Sequence, residues 1–275
     1  MNETKYKRWI DEGRGQGVGK DYKPWLTVRD VSSLGREHQI RGYKCQRTHH
    51  FLSDNERNYF FIAEYSDYII DIREQYPLPL EETLLIAEEL GINHPKDNKT
   101  KHAFVLTTDM LLTGKKGNKL KYFARTIKPK DDLLNPRQLE KFELERQFWE
   151  RKGVDWGIVT EHQINKTLAD NISMIYDYHN VEDLALFEDF SLERVERFVN
   201  ELFEGLYKHT QPLIIRDITE KFDDRLGLIS GSGISIYYHL LKTKAVFTDL
   251  SQEKINLDKP LSLMFNKVQL KEAVV

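Results

Sequence analysis

The sequence predicts an α/β fold, in which a mixed sheet with flanking helices is followed by a mostly helical second domain. Between residues 53 and 160 the segments follow the order helix, strand, helix, hairpin, helix, strand, which is typical of a sheet covered by helices. After about residue 165 the chain becomes acidic and helical. A chain of 275 residues has room for one or two domains, so we predict domains at 1–165 and 166–275.

Helix-start signals support the predicted helices of the first domain. Ser53 precedes one helix and Asn135 precedes another, and both side chains can accept hydrogen bonds from the free N–H groups of a first turn. Pro136 suits the first helical position because it has no N–H group to satisfy. Helices are predicted at 53–66, 81–100 (with a polar end) and 135–153, strands at 67–75 and 154–160, and a hairpin over 106–130 that turns at GKKGNK.

The second domain has the order of a winged helix. Residues 170–204 contain ten acidic and only two basic side chains. Three helical segments follow near 192–208, 213–225 and 232–242. Two short apolar runs, KAVFTDL (244–250) and KINLD (254–258), are expected to pair as a hairpin after them. Three helices and a hairpin are the order of a helix-turn-helix relative with a wing.

Composition excludes several classes of protein. The net charge of −3 does not indicate general nucleic-acid binding, so local patches matter more than the total. A single cysteine, Cys45, rules out an intrachain disulfide and favours a reducing, intracellular setting. The N-terminus has no apolar core of signal-peptide type, and no apolar run approaches the roughly 18 residues of a membrane span. We therefore expect a cytoplasmic protein without a membrane partner.

Two motif-like stretches do not satisfy the chemistry that they suggest. The segment GRGQGVGKDY lacks the glycine and hydroxyl spacing of a phosphate-binding loop, because Arg14 and Asp21 occupy the required positions. It is interpreted as a flexible, basic surface segment. His49 and His50 have no Cys or His companions at zinc-binding spacing, so they are interpreted as surface or DNA-facing histidines.

Charged residues inside the predicted hairpin point to chemistry. Asp109 lies within the first apolar run and Lys128 ends the second, although strands usually bury at least one face. If Thr113 and Leu120 close the hairpin, Asp109 lies opposite Ala124. Since side chains alternate along a strand, the acid and the lysine then share one face.

Thr126 lies on that same face, and together the three residues have the layout of a metal-dependent nuclease. An acid can hold a divalent ion such as Mg²⁺, which prefers carboxylate and carbonyl oxygens. A lysine beside it can orient the attacking water or offset phosphate charge. A lysine at this position is, however, also common as a strand-end residue that extends to solvent.

Glu56 is the candidate for a second carboxylate, because one acid makes a weak site. It also completes the pattern S-x-x-E with Ser53, a capping box that stabilises a helix start by roughly 1 kcal/mol without any catalytic role. Capping and metal ligation need not exclude each other.

Several motifs in order resemble the TnsA family, the endonuclease subunits of heteromeric transposases. They are EGRGQGVGKDYKPWLTV (12–28), HHFLSDNE (49–56), DIREQYPL (71–78), the T-D pair at 108–109, IKP (127–129) and LEKFELERQFW (139–149). Asp109 followed by T-x-K also resembles the PD-(D/E)xK nuclease motif. The resemblance covers about residues 10–165 well and the remainder only loosely.

The resemblance implies a restriction-endonuclease-like first domain with Mg²⁺ in its site, for which Mn²⁺ can substitute. It implies cleavage at the 5′ strand ends of a transposon during cut-and-paste transposition in a bacterial cytoplasm. A partner transposase, TnsB, would cut and join the 3′ ends, and an ATPase regulator, TnsC, would gate both.

The resemblance also assigns roles to single residues. Glu56 matches the helix acid of the family, Asp109 its metal-bridging aspartate, Lys128 its catalytic lysine and Glu145 a further acid near the site. Glu145 lies in a charge-rich helix and would otherwise be read as a solvated residue. Thr126 occupies the position that is Glu or Asp in most such nucleases and glutamine in this family. It can ligate Mg²⁺ through oxygen but brings no charge, so we expect a weaker site or one completed by DNA phosphate.

Two alternatives stay open at this point. One is a restriction or repair nuclease without a transposon. The other is a winged-helix DNA-binding protein whose nuclease-like domain is inactive, which the uncharged Thr126 favours. The predicted recognition helix, SGISIYYHLLKTK, has no basic residue before Lys242 and follows an acidic segment, so we expect the second domain to bind protein partners in preference to DNA.

Overall fold

The computed structural model of the protein describes residues 3–30, 36–97, 100–209 and 212–266. The chain divides into two compact units, Met1–Asn165 and Lys166–Val275. Residues 98 and 99, in the predicted polar loop, and residues 267–275, at the end of the predicted second domain, lie outside the described ranges.

A four-stranded mixed sheet organises the first unit, as predicted. Its strands are β3 Ile69–Pro77, β4 Thr107–Lys116, β5 Lys119–Ile127 and β6 Asp155–Val159. They lie in the order β3-β4-β5-β6, with antiparallel pairing except between β5 and β6, which are parallel. A separate antiparallel pair, β1 His38–Arg41 and β2 Thr48–Phe51, precedes them in the chain.

Helices flank this sheet. They are α1 Glu3–Asp11, α2 Asp54–Tyr65, α3 Leu80–Leu90 and α4 Pro136–Arg151. The two predicted caps are confirmed: the Ser53 hydroxyl accepts from the Glu56 N–H, and the Asn135 side chain accepts from the first N–H groups of α4. One face of the sheet packs on α3 and α4, where Leu111 and Ala124 meet Leu144 and Phe148 in a buried apolar cluster.

The hairpin register differs from the predicted one. Leu111, not Asp109, lies opposite Ala124, and the hairpin closes at Lys116 and Lys119. Only two residues connect the strands, and the first of them, Gly117, has the positive φ of +57° that a tight hairpin turn requires. The loop is thus shorter than the predicted one. The register therefore shifts by two residues, which keeps every side chain on its predicted face because the strand period is two.

The glycine-rich segment near the N-terminus folds into a hydrogen-bonded loop and not into the loose surface segment that we expected. The Gly15 N–H donates to the Lys23 carbonyl at 2.6 Å, and the Gly19 N–H donates to Asp71 Oδ1 at 3.0 Å. Gly15 has φ +78°, and a Cβ there would lie 2.2 Å from the Pro77 ring. A side chain at this position would collide with the end of β3, so the glycine permits the loop to pack there.

The second unit is largely helical, and its three main helices agree with the prediction. Its helices are α5 Lys166–Ile175, α6 Leu192–Lys208, α7 Ile215–Leu226 and α8 Ser232–Lys242. The strand pairing differs from the predicted hairpin: β8 Val246–Phe247 pairs with β10 Met264–Phe265, and β7 Leu213–Ile214 pairs with β9 Pro260–Leu261. Residues 254–258 form no strand, and β8 pairs instead with a segment that lies further along the chain.

Helix α8 is buried on almost every side. Nine of its eleven residues are buried, and only Ile234 and Tyr238 are partly accessible. Lys242, the only lysine of this helix, lies over the Tyr176 ring at 4.3 Å from its centre. The N-terminus of the helix is closed by Asp223, whose carboxylate accepts from the N–H groups of Gly231 and Gly233 at 2.9 and 2.7 Å. The predicted recognition helix is therefore a core element of this unit.

Candidate active site

Asp109 and Lys128 meet where β4 begins and β5 ends. The Lys128 ammonium donates to both carboxylate oxygens of Asp109, at 3.0 and 2.9 Å. The backbone N–H of Ile127 donates to Asp109 Oδ2 at 2.6 Å. Asp109 is buried, whereas the Lys128 side chain is 32% exposed. The predicted pairing of acid and lysine on one face is thus present, with the lysine at the solvent side of the acid.

Lys128 is held as a cation. Burial lowers the pKa of its ammonium, but the charges of Asp109 and Glu56 and the hydrogen bond to Asp109 outweigh that effect and raise the pKa above its ordinary range. A protonated ammonium cannot accept a proton. In this arrangement the Lys128 ammonium offsets the negative charge of Asp109.

Glu56 lies in the first turn of α2, and its capping role is confirmed. Its Oε1 accepts from the Ser53 hydroxyl at 3.0 Å and its Oε2 from the Leu52 N–H at 3.1 Å, as in a capping box. Burial and the Asp109 charge raise the pKa of this carboxyl to about 7, although Lys128 lowers it. Glu56 is therefore within electrostatic reach of the Asp109–Lys128 pair.

Glu145 reaches the same site from α4. Its Oε1 accepts from the Thr108 hydroxyl at 2.5 Å and from the Thr126 hydroxyl at 2.6 Å. Burial raises the pKa of Glu145 to about 7; the two hydroxyls and Lys128 lower it, and Asp109 raises it. The alternative reading of Glu145 as a solvated helix residue is wrong, because this side chain is buried against the sheet.

Thr126 lies in the site with its hydroxyl already engaged. It donates to Glu145 and accepts from the indole N–H of Trp156 at 3.0 Å. On the neighbouring strand, Thr108 likewise accepts from the indole of Trp149 at 2.7 Å. The structure thus brings all five predicted residues together, and it adds Thr108 and the two tryptophans, which the sequence interpretation missed. Their signals in the sequence were only indirect: Thr108 and Trp149 lie within the quoted TnsA-like motifs, and Trp156 lies within the predicted strand 154–160.

Gln75 is a further residue that the sequence interpretation did not single out. It is buried in β3 with a left-handed backbone, φ +47°, which is rare for a residue other than glycine. Its amide N–H points to Glu56 Oε2 at 3.4 Å, and its Oε1 accepts from the Thr107 hydroxyl at 3.2 Å. No local sequence signal indicates this strain, since glycine or asparagine would be the expected residue there.

The adjacent histidines are not both at the surface, as we had expected. His49 is fully buried, and its Nδ1 contacts Glu74 Oε2 at 2.8 Å. Arg47 makes two further hydrogen bonds to Glu74. Burial would raise the pKa of Glu74, but His49 and Arg47 lower it to about 2. His49 therefore belongs to a buried ion cluster and not to a DNA-facing surface.

The acids fit a hard divalent cation in chemistry. Among the described residues, no three His, Cys, Asp or Glu side chains are arranged around one ion. In the present arrangement the Lys128 ammonium lies on both oxygens of Asp109. Burial, and to a smaller extent the Asp109 charge, raises the pKa of both Glu56 and Glu145, so ionising these acids beside Asp109 is unfavourable without a further cation. Carboxylate oxygens are the donors that Mg²⁺ and Mn²⁺ bind.

Two family descriptions match the chain in succession. “TnsA-like endonuclease N terminal” matches residues 66–161, and “TnsA endonuclease C terminal” matches residues 163–250. A curated relative, “Transposon Tn7 transposition protein TnsA” of Escherichia coli, is 43% identical over 182 residues. That alignment covers 66% of this chain and 66% of the relative, so it spans about two thirds of either protein.

The chain belongs to the TnsA family. The resemblance of the motifs is thereby confirmed, together with the endonuclease class and a restriction-endonuclease-like N-terminal domain. Asp109, Thr126, Lys128 and Glu145 lie inside the N-terminal TnsA match, and Glu56 precedes it. In the described part of the chain, no helix is both long and apolar enough to cross a membrane.

Proposed function

We propose that this TnsA-family chain is a Mg²⁺-dependent DNA endonuclease that cuts the 5′ strand ends of a transposon during cut-and-paste transposition, with Mn²⁺ as an alternative ion. The observation that carries the proposal is the contact of Lys128 with Asp109 at the strand ends, with Glu56 and Glu145 in electrostatic reach. The name of the Escherichia coli relative supports a role in transposition.

The chain's own residues divide the work as follows. Asp109 and Glu56 would hold the ion, and the backbone carbonyl or hydroxyl of Thr126 is the predicted third ligand. When bound, the ion would polarise the phosphodiester and activate the attacking water. The Lys128 ammonium, at the solvent side of Asp109, would offset the charge of the entering phosphate. Ile127 fixes the Asp109 carboxylate through its backbone N–H.

The two units differ in charge, which bears on their partners. Residues 166–275 contain 18 acidic and 13 basic side chains, a net charge of −5, which leaves +2 for residues 1–165. Negatively charged DNA phosphates should be attracted to the positively charged first unit and repelled by the second. We propose that transposon-end DNA binds there, that the second unit contacts the partner transposase TnsB or the ATPase regulator TnsC, and that the protein acts in the cytoplasm. Cutting should then depend on the partner transposase.

The decisive experiment is cleavage of a labelled transposon end, with the partner transposase present. Asp109→Ala should abolish 5′-strand cutting and weaken binding of Mn²⁺, because the central carboxylate is lost. Lys128→Ala should stop cutting and leave ion binding in place, since an ammonium is not a ligand. Lys130→Ala, which changes an exposed lysine two residues away, is the matched control and should cut normally.

Cutting at the normal rate by Asp109→Ala would refute the assignment. A wild-type chain that binds transposon ends but never nicks them, with the transposase and either ion present, would favour the inactive-nuclease alternative. Equal cutting of transposon and unrelated DNA without any partner would favour a restriction or repair nuclease.

A further inference from the structure

The β4–β5 hairpin projects beyond the rest of the sheet. Its pairing with β3 ends at Gly114, opposite Ile69, and its pairing with β6 begins only at Phe123, opposite Asp155. Residues 115–122 therefore form a two-stranded ribbon that, within the described part of the chain, has no strand on either side. We call residues 115–122 the basic ribbon, for the charges that they carry.

Positive charge is concentrated in the basic ribbon. It contains four lysines, and the longer stretch from 110 to 130 contains no acidic side chain at all. The lysines are Lys115, Lys116, Lys119 and Lys121, and all four are exposed. Their charge exceeds the +2 of residues 1–165, which would carry −2 without them. The positive charge of the first unit is therefore due to this ribbon.

The lysines repel one another across the ribbon. Lys116 lies directly opposite Lys119, and Lys121 is on the same face because it follows Lys119 by two residues. Like charges directly opposite each other destabilise an antiparallel pair. Lys121 is offset by Asp155, whose carboxylate lies 3.2 Å from its ammonium, but among the described residues the other three lysines form no ion pair. A tip with this repulsion becomes more stable when a polyanion binds to it.

We propose that the basic ribbon binds the phosphate backbone of duplex DNA, as an anchor separate from the cleavage site. The inference rests on the proposed function and adds a second point of contact to it. A two-stranded ribbon fits the major groove of B-DNA, where its lysines can reach the phosphates along the groove. Leu120 and Tyr122 are 53% and 43% exposed on the face of the ribbon opposite to Lys116, and they suit apolar contact with sugars or thymine methyl groups.

The strand geometry separates this anchor from the chemistry. Lys116 follows Asp109 by seven residues on β4, and a strand rises about 3.3 Å per residue, so roughly 23 Å lies between them. At that separation the ribbon lysines cannot act on a phosphate held at Asp109. They act on affinity, because each neutralises a phosphate and releases the counterion condensed on it. Contacts with the backbone carry no base information, so this contribution should be the same for any duplex sequence.

The test compares two pairs of lysines in the full chain. Lys116→Gln with Lys119→Gln removes two charges from the ribbon, and Lys20→Gln with Lys96→Gln removes two from other exposed lysines of the first unit. Binding of a labelled transposon-end duplex is measured over a series of salt concentrations. We expect the ribbon pair to weaken binding about tenfold or more at low salt and to reduce the slope of log affinity against log salt by about 2. The control pair should bind like the wild type.

A charge reversal separates DNA binding from stability. Lys119→Glu replaces the repulsion from Lys116 by an attraction, so the unfolding temperature should rise while DNA affinity falls. A lysine with a purely structural role would not show both changes. With the partner transposase present, the ribbon pair of substitutions should raise the KM for transposon ends and leave kcat at saturating DNA close to that of the wild type. An unrelated duplex should lose as much affinity as the transposon end.

The inference is overturned if the ribbon pair binds DNA with wild-type affinity and salt slope, or if the control pair weakens binding equally, which would make net charge alone responsible. Loss of salt-sensitive binding to a protein partner or to a second copy, with DNA binding unchanged, would identify an acidic protein surface as the occupant. A fall in kcat at unchanged KM would place the ribbon in the chemistry and refute the anchor. Failure of the proposed function would look different: a wild-type chain that binds DNA with ribbon-dependent affinity and never cuts it.

Discussion

At the scale of single residues, Gln75 shows how a strained backbone can serve the site. A left-handed conformation costs a residue other than glycine of order 1–3 kcal/mol, and such strain concentrates at functional sites. Here the strain turns the amide so that its oxygen accepts from Thr107 and its N–H reaches Glu56. The backbone carbonyl of the same residue accepts from the Trp25 N–H at 3.2 Å. Gln75 thus ties α2 to two strands.

Substitution of Gln75 separates strain from positioning. Gln75→Gly removes both the amide and the strain, so the free energy of unfolding should stay within about 1 kcal/mol of the wild type, because relief of strain opposes the added freedom of the unfolded chain. Cutting should fall about tenfold or more, since Glu56 loses a partner. Gln75→Asn, which tolerates the same backbone, should recover part of the activity. Denaturant unfolding and end cleavage are the measurements, and a fully active glycine variant would argue against positioning.

At the scale of elements, α2 and α8 differ in what their contacts leave open. Helix α2 is capped by Glu56, whose carboxyl also feels the charge of Asp109, so the capping contacts leave the proposed metal-binding role possible. Helix α8 has the place of a recognition helix, but nine of its eleven residues are buried and its N-terminus is closed by Asp223, which agrees with our expectation that it does not read DNA. An occupied N-terminus offers no free N–H groups to a phosphate.

The second unit should therefore bind protein and not DNA. We expect a chain shortened to residues 1–165 to lose association with the ATPase regulator or the partner transposase, while residues 166–275 alone retain it. Residues 166–275 alone should show no salt-sensitive affinity for transposon DNA, because their net charge is negative. Calorimetry with each partner and DNA binding at two salt concentrations are the measurements. Tight, salt-sensitive DNA binding with no protein affinity would overturn this view.

At the scale of the whole molecule, buried acids couple stability to pH in two opposite windows. Glu56 and Glu145 have pKa values raised to about 7 from an ordinary 4.5, so between these values the native state binds more protons than the unfolded chain. The free energy of unfolding then falls as pH rises from about 5 to 7. Glu74 behaves in the opposite way: its pKa is lowered to about 2, so its stabilisation is lost as pH falls below 4.5.

We predict a stability maximum near pH 5 for the metal-free chain. Each of the two raised acids should account for a loss of up to about 3 kcal/mol between pH 5 and 8. Glu145→Gln should flatten this slope, and saturating Mg²⁺ should flatten it in the wild type. Urea unfolding over a pH series measures both effects. Glu143→Gln should keep the wild-type slope, and stability that rises from pH 5 to 8 without metal would contradict the prediction.

The local signals in the sequence were sufficient for the elements of the first unit. Ser53 and Asn135 capped the helices that were predicted from them, and the alternation of strands placed Asp109, Thr126 and Lys128 on one face even though the hairpin register was two residues wrong. The predicted face was correct because side chains alternate with a period of two, so a shift of two residues leaves each on the same face. The predicted pairing of 244–250 with 254–258 was wrong, since no local pattern specifies which short strand is the partner.

The sequence by itself determined the kind of fold, the family and the identity of the charged residues, because caps, periodicity and motifs are local properties of the chain. Only the tertiary structure decided what those residues do to one another. It placed Glu145 against Thr126 and Thr108, put Lys128 on both oxygens of Asp109, and buried α8 and His49. These contacts join residues distant in sequence, and burial then sets their charge states through desolvation and neighbouring charge. No pattern within one segment carries that information.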